Sequence, residues 1–391
     1  MNQTQQNHKY KLDTGLRARS YRDDNLPFPK FGTPTALGFF SMTAERDYEP
    51  TARNLRYYKA PKSFPFDLNI GAVIKKPNSY FDERINHLLT FICDHKEELK
   101  SAAHMTKPGI AAEFVCYRGF LRQLMCTPYE LRQDWCLHVT KYMDTFYLCK
   151  HDSEYDKFQR SNATNKQKKM IAWGFKFEQN CLSDSPFIEH STSASADKCE
   201  DFYCVFKTKM NSMDILFGAE MDGIISDQPV QLDDNSNNLQ NLKFVELKVR
   251  QGDLNAWQQQ SYNRYKTLNW WCQSFLVGIK DLYVGIRTDK GLVKKIEHVD
   301  VRTLPKQGLN YWTPTACANF LIQFLTKLKE VMAIENCPYT VYEFYFNPNT
   351  SRVTYECLKG KTEHSFLPDW YISMLQQLAH PSEEFSQIPQ I

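Results

Sequence analysis

Two acids stand in apolar surroundings in the middle of this 391-residue chain, and their spacing could do chemistry. Glu220 and Asp222 lie two residues apart inside an apolar run over 213–225. If this run is a β-strand, its side chains alternate across the strand, so both carboxylates point to the same face. An unpaired carboxylate loses several kcal/mol when it leaves water. A cation is therefore needed to hold two of them there.

The same two-residue spacing recurs in two neighbouring stretches. Glu246 and Lys248 share a face in FVELKV, where Leu247 turns into the core, and Lys176 and Glu178 share a face in GFKFE if that segment is a strand. With the first pair, these positions supply four acids, Glu178, Glu220, Asp222 and Glu246. Four converging carboxylates repel one another unless they are neutralised. Oxygen-rich sets of this kind suit hard divalent ions, and the sequence predicts Mg²⁺ or Mn²⁺.

A structural explanation competes with this one, because charged residues at this spacing are common on solvated strands. Lys176 and Lys248 could neutralise the acids as plain salt bridges. The order of the elements favours chemistry: an acid, E-x-D, a loop, then E-x-K between apolar residues. That order matches the PD-(D/E)xK nuclease pattern, with Asp222 as the first acid and residues 246–248 as its second half.

A tryptophan-rich segment, KTLNWWCQSFLVG, adds polar groups to the same region. Lys266, Trp270 and Gln273 fall on one stripe of a helix, and Lys266 and Gln273 could hold phosphate and water. Trp270 and Trp271 are better explained as packing residues. Arg118, in CYRGF, is expected on a strand, where it is either a core ion-pair partner or a phosphate clamp.

Periodicity predicts the elements that must position these residues. Runs rich in apolar, aromatic and β-branched residues predict strands at 114–125, 137–150, 202–210, 213–225, 242–249, 281–288 and 339–346. Helices are predicted at 78–100, 154–172, 254–276, 315–334 and 369–379. WGFKFE is read as a strand, and the polar stretches 183–198 and 226–241 as a surface loop and a hairpin connection. We predict a single α/β domain over 31–391, a mixed, twisted β-sheet with flanking helices, after a basic, partly disordered segment at 1–30.

Composition limits the classes of protein. The net charge of +3 and the pI near 8.1 are too mild for a nucleic-acid footprint on their own. Twelve cysteines occur singly without a C-x-x-C pair, and no apolar run is long enough to span a membrane. We therefore expect no zinc ribbon, no disulfide framework and no membrane association. We expect the protein in a reducing compartment: in the nucleus, or in both the nucleus and the cytoplasm.

Taken together, these segments resemble the DXO family of RNA 5′-end decapping enzymes. The resemblance rests on YRG with TPYE, on GFKFE, EMD and ELK, and on the tryptophan-rich segment followed by VGIRTDKGLV, all in the family's order. Two N-terminal stretches, at 38–61 and 66–71, are similar to the family's opening. The resemblance covers most of the chain.

The resemblance implies roles for named residues. The metal ligands would be Glu178, Glu220, Asp222, Glu246 and the main-chain carbonyl of Leu247, and together they would hold two ions. Lys248 and Gln273 would position the attacking water and the scissile phosphate, and Arg118 would hold RNA phosphate. Glu178, Lys248 and Gln273 would also contact the substrate.

The activity implied is a metal-dependent removal of incomplete or NAD caps from RNA as a unit. Removal of 5′ triphosphate and 5′-to-3′ exoribonuclease action would accompany it. NAD would then be a substrate, and the sequence has no G-x-G-x-x-G fingerprint for it as a cofactor. Two alternatives are an RNA-end binding scaffold that stimulates a larger 5′-to-3′ exoribonuclease, and a DNA nuclease, for which no DNA-binding module or strongly basic face is present.

Overall fold

The computed structural model describes residues 11–22, 25–71, 83–101, 109–188, 200–232 and 238–379. Its strands are β1 (Leu12–Arg17), β2 (Thr35–Met42), β3 (Tyr48–Glu49), β4 (Tyr57–Tyr58), β5 (Phe66–Asp67), β6 (Phe114–Tyr117), β7 (Trp135–Tyr142), β8 (Thr145–His151), β9 (Leu182–Ser183), β10 (Asp201–Met210), β11 (Met213–Glu220), β12 (Gly223–Ile225), β13 (Lys243–Gln251), β14 (Asp281–Arg287), β15 (Leu292–Asp300), β16 (Val341–Asn347) and β17 (Arg352–Leu358). Its helices are α1 (Asn86–Asp94), α2 (Lys96–Leu99), α3 (Arg118–Cys126), α4 (Glu154–Asn162), α5 (Asn165–Cys181), α6 (Ala256–Ser261), α7 (Thr267–Val277), α8 (Leu304–Gln307), α9 (Pro314–Val331) and α10 (Asp369–Ala379).

The strands divide between two mixed sheets. The first has the order β1-β17-β16-β7-β8-β6-β11-β10-β2-β3, and the second has the order β5-β15-β14-β13-β12-β4-β9. Most pairs are antiparallel, but β6 runs parallel to both β8 and β11, β13 runs parallel to β14, and β12 runs parallel to β4. The predicted α/β class with mixed, twisted sheets and flanking helices is confirmed, although we expected one sheet and the chain builds two.

The ten-stranded sheet is buried on both faces, which explains the nearly continuous apolar runs of its central strands. One core cluster includes residues of α3, α7 and α9 together with Phe114 and Phe217 of the sheet. A second cluster includes residues of α1 and α10 together with Val115 and Leu216. Adjacent residues of β6 and β11 thus serve opposite cores.

The chain passes from one sheet to the other at the E-x-D segment. Glu220 is the last residue of β11 in the ten-stranded sheet, and β12 of the seven-stranded sheet begins at Gly223. A side chain at Gly223 would lie 2.7 Å from Leu182 Cδ2 and 3.0 Å from the Arg56 carbonyl oxygen, so this close passage requires glycine. Asp222 therefore sits between the two sheets.

Several predicted elements are divided in the structure. The strand predicted at 137–150 is the hairpin β7–β8, whose turn residues Met143 and Asp144 have φ of 48° and 62°. The helix predicted at 154–172 is split between α4 and α5, and the one at 254–276 is interrupted by a π-helical turn over Tyr262–Lys266. The helix predicted at 78–100 is α1 with α2, and residues 78–82 lie outside the described part.

Sequence patterns missed the strands β1, β2, β15 and β17 and the two-residue strands β3, β4, β5 and β9. β1 pairs with β17, so part of the basic segment 1–30 belongs to the ten-stranded sheet. Residues 1–10, where we predict disorder, lie outside the described residues, as does most of the Ser-rich stretch 183–198. In the described part of the chain, no helix is long and apolar enough to cross a bilayer.

Candidate active site

The pairing of β12 with β13 brings Asp222 beside Glu246. Gly223 lies opposite Val245, and the main-chain N–H of Leu247 donates to Asp222 Oδ2 at 2.6 Å. One acid therefore gains a hydrogen bond from the strand that carries the next. The prediction that these two residues belong to one cleft agrees with this geometry, although Asp222 precedes β12 and is not within a strand.

Glu246 is the most buried of the acids and the centre of the polar network. Its side chain is 1% exposed. Its Oε1 accepts from Lys248 Nζ at 2.5 Å and from Gln273 Nε2 at 2.6 Å, and Arg118 Nη1 lies 3.5 Å from its Oε2. Burial acts to raise the pKa of Glu246, but the charges of Lys248 and Arg118 outweigh it and hold that pKa below its usual value. This carboxyl is an anion anchored by three donors.

Glu178 reaches the site from a helix and not from a strand, so the prediction for GFKFE was wrong. Helix α5 runs from Asn165 to Cys181, and its buried residues Trp173, Lys176, Phe177 and Cys181 follow helical spacing. Positions two apart on a helix face different directions, so Lys176 does not share the face of Glu178. A Cβ atom on Gly285 of β14 would collide with the Phe177 ring, which shows how closely α5 lies on the sheet.

Arg118 is also placed differently from the prediction. It is the first residue of α3, after β6 ends at Tyr117, and is 6% exposed. Its Nη2 donates to the main-chain oxygen of Glu220 at 2.7 Å, while Nη1 faces Glu246. The guanidinium thus connects the end of β11 with β13. The ion-pair explanation is seen directly, and the phosphate clamp stays a prediction.

The electrostatics of the site show crowded acids. Burial and the charges of Asp222 and Glu220 raise the pKa of Glu178 well above its usual value. Burial and Glu246 raise the pKa of Asp222 to about 7. Burial opposes the charge of Lys248, but Glu246 and Asp222 outweigh it and raise the pKa of this ammonium. Lys248 is therefore a fixed cation, and one lysine does not neutralise the acids around it.

The donor set fits a hard divalent metal. Only oxygen atoms are offered by the four acids, Glu178, Glu220, Asp222 and Glu246. The pKa values of Glu178 and Asp222 are raised, as expected of crowded carboxylates, and a divalent cation would relieve this crowding of charge. Among the described residues, three ligand atoms within 4.8 Å of one another occur in two groups only, His138 with His151 and His364, and His138 with Cys136 and Glu343. These four acids, called the acidic cleft below, are therefore spaced more widely than that distance, as mutual repulsion favours.

The tryptophan-rich segment divides as predicted between packing and polar roles. Trp270 and Trp271 are buried, and Trp271 stacks on Phe275 with ring centroids 4.8 Å apart. Gln273, on the same helix, reaches Glu246. Lys266 stays accessible to solvent at the end of the π-helical turn.

A cation that sequence reasoning missed lies near Lys266. Although solvent reaches the Lys266 side chain, partial desolvation by the surrounding protein atoms and the charges of Lys248 and Arg287 lower its pKa, so these three cations lie near one another. Arg287 ends β14 and lies over the Trp173 ring at 4.4 Å. The sequence feature that could have identified Arg287 is its position at the end of an apolar strand, in VGIRTDKG. A cationic wall beside an acidic cleft suits a polyanionic substrate.

The site lies at the junction of two mixed sheets. A lysine and several carboxylates meet there from adjacent strands and a packed helix, and this arrangement defines a metal-dependent nuclease of the PD-(D/E)xK class. Residues 32–372 match the family model described as RAI1 like PD-(D/E)XK nuclease, and the chain belongs to that family.

Relatives in several animals are similar over nearly the whole chain. The decapping and exoribonuclease protein Rai1 of Drosophila melanogaster is 35% identical over 358 residues, covering 90% of this chain and 94% of the relative. The decapping and exoribonuclease protein of Homo sapiens is 30% identical over 370 residues, covering 91% and 89%. Among solved structures, Candida albicans Rai1 in complex with pU5 and Mn²⁺ superposes with a TM-score of 0.75 at 18% identity, covering 90% of this chain and 99% of that one. This last likeness concerns the fold.

Proposed function

We propose that this protein is a hydrolase that removes incomplete or non-standard 5′ caps from RNA as intact units. The observation that carries the proposal is the network centred on Glu246, in which a buried carboxylate holds Lys248, Gln273 and Arg118 beside three further acids. The relatives from Drosophila melanogaster and Homo sapiens described above, at 35% and 30% identity, are named decapping and exoribonuclease proteins, which supports the same activity. The substrates are RNAs with an unmethylated guanosine cap, an NAD cap or a 5′ phosphate.

Each group of the site has a part in hydrolysis of the phosphodiester bond after the first nucleotide. Glu178, Glu220, Asp222, Glu246 and the Leu247 carbonyl would hold Mg²⁺ or Mn²⁺. A divalent ion, when bound, supplies a lowered pKa for water and positive charge at the phosphate. Solved relatives contain such ions: C. albicans Rai1 holds Mn²⁺ and Scheffersomyces stipitis Rai1 holds calcium with 3′-NADP.

The remaining side chains position the reactants. Gln273 is fixed by its bond to Glu246, and its amide oxygen can accept a hydrogen bond from the attacking water. Water attacks phosphorus, the bond to the 3′ oxygen of the first nucleotide breaks, and that oxygen leaves with a proton. Lys248 keeps its charge and stabilises the negative charge that grows on the phosphate oxygens. The products are a released capped nucleotide and RNA with a 5′ monophosphate.

Incubation with RNAs that differ only at the 5′ end tests the proposal. We expect an unmethylated guanosine cap and NAD each to be released together with the first nucleotide, with an intact pyrophosphate bridge. Mass spectrometry of the small product identifies it, and excess chelator should stop the reaction. Release of guanosine diphosphate or nicotinamide mononucleotide would show cleavage within the cap and contradict the proposal, as would full activity in chelator.

Exonuclease action after decapping is part of the proposal, since the RNA product carries the 5′ monophosphate that such an activity requires. Binding to a larger 5′-to-3′ exoribonuclease stays a prediction. Location in the nucleus, or in both the nucleus and the cytoplasm, is a prediction as well. DNA is not an expected substrate.

The role of Arg118 can be separated into positioning and phosphate binding. Arg118→Lys keeps the charge but loses the planar fork that reaches both Glu220 and Glu246, so kcat/KM should fall severalfold or more. We expect similar losses on a capped dinucleotide and on a long RNA at one fixed salt concentration, because both need the same acids. Arg122→Lys, one turn further along α3, is the matched control and should have little effect. A much larger loss on the long RNA would instead establish the clamp on downstream phosphates.

A further inference from the structure

A cavity of about 430 Å³ lies on the face of the ten-stranded sheet that α1 and α10 cover. Tyr117, Cys149 and Phe366 line it and belong to that side of the core. Three histidines that the proposed reaction does not use, His138, His151 and His364, lie together in its wall.

The sheet register explains why two of these histidines meet. His138 of β7 lies opposite Cys149 of β8, and Cys136 lies opposite His151, so the two histidines are diagonal neighbours on one face. Their rings stack with centroids 4.2 Å apart. His364 comes from the connection between β17 and α10, and its ring lies edge-on to His138 at 5.2 Å.

The connection that carries His364 is fixed in place. Arg84 donates to the main-chain oxygens of Ser365 at 2.7 Å and Glu363 at 3.1 Å. The Ser365 hydroxyl donates to the Tyr339 carbonyl oxygen at 2.7 Å. The third imidazole is therefore held against the other two by bonds on both of its neighbours.

The chemistry of this group differs from that of the acidic cleft. One ligand atom from each of the three histidines lies within 4.8 Å of the others. A tetrahedral ion bound at about 2.1 Å needs neighbouring nitrogens about 3.4 Å apart, a distance that small side-chain rotations would reach. Imidazole nitrogens suit borderline ions such as Zn²⁺, whereas Mg²⁺ and Mn²⁺ prefer oxygen.

A carboxylate orients the central histidine as in known zinc sites. His138 is 3% exposed, and its Nε2 lies 3.2 Å from Glu343 Oε2 on the paired strand β16. Glu343 Oε1 also accepts from Lys11 Nζ at 3.3 Å, an ion pair that suits a carboxylate. With Nε2 donating to Glu343, Nδ1 carries the lone pair, which is the arrangement of a carboxylate–histidine–metal triad.

We propose that His138, His151 and His364 form a Zn²⁺ site in the wall of this cavity, with a fourth position left for water or an anionic ligand. The site is independent of the proposed hydrolase activity, because it uses none of the residues of the acidic cleft. A bound ion would link the β17–α10 connection, through His364, to the β7–β8 hairpin, through His138 and His151.

Zinc content after chelator treatment and dialysis against Zn²⁺ tests the site. The measurement uses the Glu220→Gln/Asp222→Asn protein, so that the acidic cleft contributes little to the count. We expect one zinc per chain, and less than half of that after His151→Gln or His364→Gln. His298→Gln is the matched control, because His298 is an exposed histidine bonded to Asp281 on the other sheet.

Cobalt gives a second readout that does not depend on counting ions. Co²⁺ bound by three imidazoles should show the intense visible absorption of a four-coordinate ion, and His364→Gln should remove it without changing the metal-free melting temperature. This histidine lies in a connection, so its replacement leaves the core packing intact. No bound zinc in the parent protein, or equal zinc in the three histidine variants, would overturn the proposal.

Discussion

Replacing Glu220 with Gln and Asp222 with Asn together should abolish cleavage of RNA 5′ ends and leave the protein folded. Losing the ion removes several kcal/mol of charge stabilisation, so the rate should fall about 10³-fold or more. Initial rates on one capped RNA at saturating Mn²⁺ measure this loss. Asp214→Asn, on the same strand as Glu220 but paired with Lys209, is the matched control and should keep the wild-type rate.

The stability of this double variant in chelator should equal or exceed that of the wild type. The pKa of Asp222 is raised to about 7, so its ionised form is disfavoured in the metal-free folded state. That cost begins above the unfolded pKa of the acid and is complete once the pH exceeds the folded pKa, so the gain should be largest above about pH 7. A wild-type cleavage rate, or a much lower melting temperature in chelator, would show that the acids serve another purpose.

Replacing Glu246 with Gln should also abolish activity, but with the opposite effect on stability. The side chain is buried and meets the charges of Lys248 and Arg118, and leaving a buried charge without its partner costs about 3–5 kcal/mol. We therefore expect a melting temperature several degrees lower in chelator. Glu297→Gln, which breaks the partly exposed pair with Arg250, should cost no more than about 1 kcal/mol.

The pH dependence of the Glu246 effect follows from the sign of its shift. The pKa of Glu246 in the folded protein lies below its usual 4.5, so the anion stabilises the fold above that pH. The stabilisation is lost as the pH falls through the folded pKa. Wild type and variant should therefore differ most near neutral pH and converge in acid. A constant difference across this range would exclude the ion-pair explanation.

Sequence patterns predicted the central strands well because these segments are apolar runs rich in aromatic and β-branched residues. The strand predicted at 202–210 is Asp201–Met210, and the helix predicted at 369–379 is Asp369–Ala379. The E-x-K segment lies within one strand, β13, as predicted. These elements depend on spacing within a single segment, which a sequence displays directly. The single strand predicted at 213–225 is instead divided between β11 and β12 of different sheets, and Asp222 lies outside both.

The position of Glu178 could not be derived in that way. In GFKFE the aromatic and charged residues alternate, which is typical of a strand, but the wider set from Trp173 to Cys181 fits a helix equally well. Packing of Trp173 and Phe177 against Leu247 and Val293 favours the helix, and that contact joins distant parts of the chain. The bond between Gln273 and Glu246 likewise spans 27 residues.

Met221 and Asp222 join the two sheets, so the site is complete only when both sheets have formed. Glu220 belongs to one sheet, Glu246 to the other, and Arg118 bonds across the gap between them. A partly folded chain with one sheet formed would therefore hold only part of the acidic cleft. Newly made protein would thus acquire its hydrolytic activity only when both sheets have docked, and cellular RNA would be protected from unfinished copies.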